Sequence, residues 1–165
     1  MAHETALMIG GNLGDRKKLI DDTRALLSAT GTLKKASSIY ETVAWGKLSD
    51  KEYLNQALWL ETKLSPADLL HAAQTIEKKL GRFRDEKWGD RTMDIDILYY
   101  DNLVCKTEEL TLPHPLIQER NFVLVPLVEI LPDYVHPLLR VSNKELLRRC
   151  TDNNRVRLYE DSNTN

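Results

Sequence analysis

An α+β fold, an antiparallel sheet with helices packed on it, is what this sequence predicts. Three observations carry it: short apolar runs bounded by turn residues, two segments with apolar residues at helical spacing, and a chain order of β-α-β-β-α-β. That order is the ferredoxin-like split arrangement, with its helices expected on one face of the sheet and the later segments decorating it.

The first strand is the apolar run from about Thr5 to Ile9, and the turn "GGNLGD" follows it. Asp15 is a candidate N-cap, after which Leu19, Ile20, Thr23, Leu26 and Leu27 recur at helical spacing until Gly31 stops the pattern. "LKKASSIYETVAW" is rich in β-branched and small residues and is expected as the second strand, with "YLNQALWLET" from Tyr53 as the third. Ser65 and Pro66 supply an N-cap and a first-turn proline for the second helix. Leu69, Leu70, Ala73, Ile76 and Leu80 make its apolar stripe, and Gly81 ends it. The last strand of the core is "RTMDIDILYY", Arg91 to Tyr100. Beyond it, Asp101-Asn102 predicts a tight turn into "LVC", Asn121 is a candidate cap for "FVLVPLVEIL", and Ser142-x-x-Glu145 is a capping box.

The 165 residues are expected to form one domain over 1–165, with a frayed tail from about 160. A net charge of −2 provides no global basic field, so nucleic acid is not an expected partner. Cys105 and Cys150 lack metal-ligand spacing and are expected as packing residues in a reducing compartment. No segment approaches the length of a membrane span, and a cytoplasmic location without a membrane partner is expected.

Asp94 and Asp96 alternate with apolar residues in a strand and therefore share a face, their Cα atoms about 7 Å apart. At an effective dielectric of about 20 their repulsion is on the order of 2 kcal/mol, so a cation is expected between them. Magnesium suits such a pair because it takes one or two carboxylates and completes its shell with water and substrate phosphates. For an isolated D-x-D, pairing with arginine or simple solvation would be the better reading. Here Arg82, Arg84 and Arg91 flank the pair, and "DEKWGD" between them has no apolar period and is expected to be a mobile loop. Arginine beside metal-binding carboxylates is the composition of a phosphoryl-transfer site.

The glycine turn matches neither G-x-x-x-x-G-K-[ST] nor G-x-G-x-x-G, so it is read as a strand-to-helix connection capped by Asp15. His114 stands between Pro113 and Pro115, which restrict its backbone, and a rigid loop imidazole can donate to phosphate. Tyr53 and Asn55 share one strand face; packing explains the ring, whereas the amide is better explained by a ligand.

With these residues in view, "RFRDEKWGDRTMDIDILYYDN" resembles the signature of the 6-hydroxymethyl-7,8-dihydropterin pyrophosphokinase family. "IGGNLGDR", "SSIYET", "YLNQAL", "TIEKKLGRFR" and "LPHPLIQERNFVLVPL" resemble further family segments in the same order, over nearly the whole chain. The resemblance implies a pyrophosphokinase that uses ATP, two magnesium ions and 6-hydroxymethyl-7,8-dihydropterin, with AMP as product; no obligate protein partner is evident in the sequence. It implies that Asp94 and Asp96 bind metal and that Arg82 and Arg91 act on the phosphates; in the transfer step no strong base is evident and Asp96 is the nearest expected proton acceptor. Arg84 and Trp88 belong to a loop expected to close over the site, and Gln74, Glu77, Thr111, His114 and Arg120 to the nucleotide side. Tyr53 and Phe122 resemble the aromatic faces around the pterin, Asn55 its hydrogen-bonding partner, and Thr42 part of the loop beneath it.

Three positions depart from the family's usual residues: Gly11 and Ala44 and Asp90 stand where serine, proline and proline are usual. The first is expected to be mild, because "GGNLGD" can still turn. Ala44 is expected to loosen the pterin loop, and Asp90 to weaken the hold of Arg91 on phosphate. Two rival readings remain distinct: a metal-dependent phosphohydrolase would consume ATP without a pterin, and a ferredoxin-like binding module for RNA or a small regulator would want exposed sheet aromatics and a basic patch, against which stand the modest negative charge and the absence of the RNA-recognition signature.

Overall fold

The computed structural model describes residues 1–43, 51–81 and 91–160. Its elements in chain order are β1 (His3–Gly11), α1 (Arg16–Leu27), β2 (Gly31–Ala36), β3 (Tyr40–Thr42), β4 (Tyr53–Thr62), α2 (Pro66–Lys79) and β5 (Asp94–Tyr100). They are followed by β6 (Cys105–Lys106), β7 (Thr111–Leu112), a 3-10 turn at Ile117–Glu119, α3 (Asn121–Ile130), α4 (Asn143–Arg149) and β8 (Val156–Leu158). The main sheet runs β5-β1-β4-β3-β8, with β2 also paired to β4, and β6 and β7 form a separate two-stranded ribbon. Every pairing is antiparallel.

The helix starts follow from local chemistry. The Asp15 carboxylate accepts the Lys18 N–H at 3.2 Å, and the Ser65 hydroxyl accepts the Asp68 N–H at 3.1 Å, each satisfying a donor that the first turn cannot. Ile20, Leu27, Leu69, Ala73 and Ile76 of α1 and α2 pack on Leu7, Ile9, Leu58, Leu60, Ile95 and Ile97 from one face of the sheet. The other face is not bare, contrary to the expectation of helices on one side. There Val123, Leu124, Leu127 and Ile130 of α3 and Leu146 of α4 cover Ala6, Met8, Ala57, Trp59, Leu98 and Tyr99. The physical reason is in β1 and β4, whose "ALMI" and "ALWL" are continuous apolar runs, the pattern of strands buried on both faces.

Other expectations change in detail. The second strand is broken into β2 and β3 at Ser37, whose N–H donates to Ala57 O at 2.9 Å and whose hydroxyl accepts the Ala57 N–H at 2.9 Å. Side-chain bonding there replaces part of the ladder, and Gln56 Nε2 donates to Ser37 O at 2.6 Å. "LVC" contributes only its last residue to β6. Asn121 does not cap α3: the cap position is Arg120, and Asn121 is engaged by the C-terminal segment, its N–H by Asp152 Oδ2 at 3.1 Å and its amide by Asn154 O at 2.5 Å. The capping box at α4 is half formed. The Ser142 hydroxyl accepts the Glu145 N–H, but the Glu145 carboxylate turns to Arg148 and Arg149. Cys105 and Cys150 pack against the two cores, one against each. Among the described residues no helix is long and apolar enough to cross a membrane.

Candidate active site

The face covered by α3 changes character along its length. Antiparallel partners share a face, so Ala6 with Trp59 and Tyr99, then Met8 with Ala57 and Asp96, then Gly10 with Asn55 and Asp94 form three successive rows. Tyr40 of β3 extends the last row opposite Asn55, and Thr42 opposite Tyr53 stands in the next row on the same face. The rows pass from aromatic to polar within four residues. Gly10 lies between the two polar strands, and a Cβ there would meet Asn55 Oδ1 at 2.4 Å and Leu54 O at 2.2 Å. A side chain at this position would displace the amide, which is why the row needs glycine.

β5 is an edge strand of the main sheet and its outer side is covered by specific acceptors and donors. The buried carboxylate of Glu77, from α2, accepts the Ile95 N–H at 2.8 Å, between the two aspartates. Farther along, the His114 N–H donates to Leu98 O at 2.9 Å. Glu77 therefore holds the strand that presents Asp94 and Asp96, a position behind them.

Arg91 Nη1 stands 3.4 Å from Asp94 Oδ2, longer than a good N–H···O bond and so a loose ion pair. Its backbone is gripped by Asn12: the Asn12 amide oxygen accepts the Arg91 N–H at 2.8 Å, and the Asn12 N–H donates to Arg91 O at 2.9 Å. Asn12 also donates from Nδ2 to Lys51 O at 3.3 Å, so the glycine turn joins the chain before β5 to the chain before β4. Sequence reasoning missed this residue; its signal was a single amide in an otherwise apolar and glycine-rich turn. Gly11 is less neutral than expected, since a Cβ there would lie 2.2 Å from Thr92 O and 2.8 Å from Arg91 O. A serine at this position would push the Arg91–Thr92 backbone away.

Arg120 and His114 complete the charged cluster. Burial lowers the Arg120 pKa, opposed by the negative charges of Asp96 and Asp94, which places the guanidinium within electrostatic reach of both carboxylates. Burial and the Arg120 charge push His114 down to about 4, against the pull of Asp94. Its Nδ1 accepts the Leu116 N–H at 3.1 Å, so the neutral ring carries its proton on Nε2 and can only donate there. The restriction expected from the flanking prolines is accompanied by a cis Leu112–Pro113 bond.

On the other side of Gly10, Asn55 Nδ2 donates to Thr42 Oγ1 at 3.2 Å, and both residues are buried. Tyr53 and Phe122 are half-buried, and the Arg120 guanidinium lies 5.6 Å from the Phe122 ring centre, which ties the two sides together. Thr111 is half-buried in β7, before the His114 loop, and Gln74 is exposed on α2 one turn before Glu77. Arg82, Arg84, Trp88, Ala44 and Asp90 lie outside the described residues.

The donor set at Asp94 and Asp96 fits magnesium. A carboxylate pair supplies hard oxygen ligands and leaves coordination positions for water and phosphate. Among the described residues, two aspartates, two arginines and a neutral histidine are close to charge balance, and added positive charge from magnesium would favour a polyphosphate there.

An antiparallel sheet with paired carboxylates, two arginines and a neutral histidine at one end of a face has the composition of a phosphotransferase. A family model described as 7,8-dihydro-6-hydroxymethylpterin-pyrophosphokinase (HPPK) matches residues 6–132. The chain is similar to the 2-amino-4-hydroxy-6-hydroxymethyldihydropteridine pyrophosphokinase of Aquifex aeolicus, 40% identical over 139 residues, which cover 84% of this chain and 87% of that one. It is likewise 40% identical over 156 residues to the protein of the same name from Bacillus subtilis, covering 93% and 89%. Among solved structures, Plasmodium falciparum HPPK-DHPS with pteroate matches with a TM-score of 0.73 at 16% identity, a likeness of fold alone. The match covers 90% of this chain and 42% of that one, so this chain spans less than half of that structure's length. The chain belongs to the 7,8-dihydro-6-hydroxymethylpterin pyrophosphokinase family, the pyrophosphokinases of folate biosynthesis.

Proposed function

We propose that the polar end of this face is where the chain transfers the terminal diphosphate of ATP to the hydroxymethyl oxygen of 6-hydroxymethyl-7,8-dihydropterin, releasing AMP. The observation that carries the reading is the row Asn55, Gly10, Asp94. It sets a buried amide and a carboxylate two strand spacings apart, about 10 Å, with only glycine between them. A bicyclic ring hydrogen-bonded at Asn55 can reach across Gly10 and present its hydroxymethyl arm to phosphate at Asp94 and Asp96. Tyr53 and Phe122 would stack on the ring, and Thr42 fixes the Asn55 amide that reads its edge.

Asp94 and Asp96 would hold magnesium, two ions in the full reading, which when bound offsets phosphate charge and acidifies a coordinated hydroxyl. The chain's own residues supply the rest. Arg91, Arg120 and, from outside the described residues, Arg82 bind the phosphate oxygens, and His114 donates to them from Nε2. The pterin oxygen forms its bond to the β-phosphorus as the bond to the bridging α–β oxygen breaks, and AMP departs with that oxygen. The hydroxyl proton passes to Asp96. Gln74 and Thr111 flank the nucleotide, Glu77 steadies β5, and Arg84 and Trp88 help exclude water once both substrates are bound. The ferredoxin-like reading of the core is supported by the strand order β5-β1-β4 with β2 and β3 beside β4.

Product analysis tests the proposal. With ATP, magnesium and the reduced pterin, AMP and pyrophosphorylated pterin should accumulate in equal amounts. Steady ATP consumption in the absence of pterin would instead identify a phosphohydrolase.

A further inference from the structure

Behind the pterin-side strand, on the face that carries α1 and α2, four charged residues form a closed group. Glu41 alternates with Tyr40 and Thr42 and so points away from the candidate site. Its carboxylate takes Arg16 Nη1 at 2.7 Å on one oxygen and Arg157 Nη2 at 2.7 Å on the other. Arg157 Nη2 also lies 2.6 Å from Glu52 Oε2, and Arg16 Nη1 donates to Glu52 O at 3.0 Å. Glu41 and Glu52 stand one residue before Thr42 and one before Tyr53. The two arginines therefore fasten together the strand ends that carry the pterin-side residues. The Glu41 side chain is only 13% exposed. Burial would raise its carboxyl, yet hydrogen bonds from Arg157 and Arg16 outweigh that and hold it below the usual carboxylate range.

Arg157 belongs to a segment that links both sides of the site. Asp152 and Asn154 bind Asn121 beside Phe122, Val156–Leu158 pair with Tyr40–Thr42, and the Tyr159 N–H donates to Ile39 O at 2.9 Å. Val156, the partner of Thr42, follows Asn154 by two positions, so the Phe122 end of α3 and the Thr42 end of β3 are held a short, fixed distance apart. This segment lies beyond residue 132, where the family match ends.

We propose that Asp152–Leu158 is a positioning strap for the pterin, with Arg157 its principal anchor, setting the spacing between Phe122 and the Thr42–Asn55 pair. Arg157 touches no substrate in this arrangement; it acts through Glu41 and Glu52. The inference rests on the pterin-side reading given above, and its test separates the two.

The experiment is steady-state kinetics with both substrates varied, on wild type, Arg157→Ala, Arg157→Lys, Glu52→Gln and Asn55→Ala, with melting temperatures alongside. Arg157→Ala should raise the pterin KM by roughly 3- to 10-fold, the size of losing one or two partly exposed ion pairs, with the ATP KM within about 2-fold of wild type. Arg157→Lys should recover part of the loss. If Arg157→Ala does not yield folded protein, Glu52→Gln carries the same comparison with a smaller shift. A lower melting temperature with both KM values unchanged, or with both raised equally, would overturn the strap assignment. If Asn55→Ala raises the pterin KM while the Arg157 and Glu52 variants leave it alone, only the strap fails. If Asn55→Ala leaves it alone too, the pterin-side reading itself fails.

Discussion

The two ends of one sheet face differ more than the two faces do. At one end Ala6, Trp59 and Tyr99 are sealed beneath α3 and α4, while at the other Gly10, Asn55 and Asp94 occupy the equivalent row. The same three strands supply both. Stability is concentrated in the first row, where Tyr99 is fully buried and its hydroxyl donates to Asn143 Oδ1 at 2.6 Å. Charged and polar side chains are concentrated in the second, which the sheet holds rigid through backbone pairing on both sides of Gly10. A site of this kind needs little packing of its own, because the neighbouring row has already fixed the strands.

If that division is right, substitutions at the two ends should separate activity from stability. The largest expected effect is at the polar end: Asp96→Asn should lower turnover by about 10³-fold, the scale of removing a charge that acts on phosphoryl transfer. Its melting temperature should stay level or rise, because the mutual repulsion with Asp94 is relieved. Steady-state kinetics across a magnesium titration, with a thermal melt, checks both halves.

The converse is Leu124→Ala, in the core beneath α3. It should cost about 2–5 kcal/mol of stability by denaturant titration, from lost burial and the cavity left behind. Turnover per folded molecule should remain within a few-fold of wild type. A large loss of turnover in fully folded protein would show that the two rows are not separable.

His114 sharpens the contrast because it belongs to the polar end yet contributes to folding. Its folded pKa, about 4, lies below the ordinary value near 6.5, so the unfolded chain takes up this proton first as pH falls. Its contribution to stability is complete above pH 6.5 and is lost as pH falls through 4, by about 3 kcal/mol in metal-free protein. Denaturant titrations at pH 7 and pH 4 on wild type and His114→Gln check this, the variant losing less stability over that interval.

Much of this architecture was legible because it is local. Asp15 and Ser65 announce helix starts through bonds three residues away and Pro66 through its fixed φ in the first turn, and the period-two spacing of Asp94 and Asp96 places both on one face without knowledge of the partner strand. What could not be read depends on partners distant in sequence. The break at Ser37 is invisible in a β-branched run, because it is set by Gln56 and Ala57 on another strand. Nor does the turn reveal that Asn12 grips Arg91, 79 residues on. The convergence of His114 and Arg120 on Asp94 was available only through family resemblance, and the covering of the second face only weakly, through continuous apolar runs in β1 and β4.

The central claim, that one polar row divides at Gly10 into a pterin side and a phosphate side, is tested most directly by crossed binding titrations. Wild type, Asn55→Ala and Arg120→Ala would each be titrated calorimetrically with the pterin and, separately, with an unreactive ATP analogue plus magnesium. Asn55→Ala should weaken pterin binding by about 1–3 kcal/mol and leave the nucleotide almost unchanged, and Arg120→Ala should do the reverse. Equal losses of both ligands in both variants would contradict a divided row and reduce these residues to structural supports of a site elsewhere.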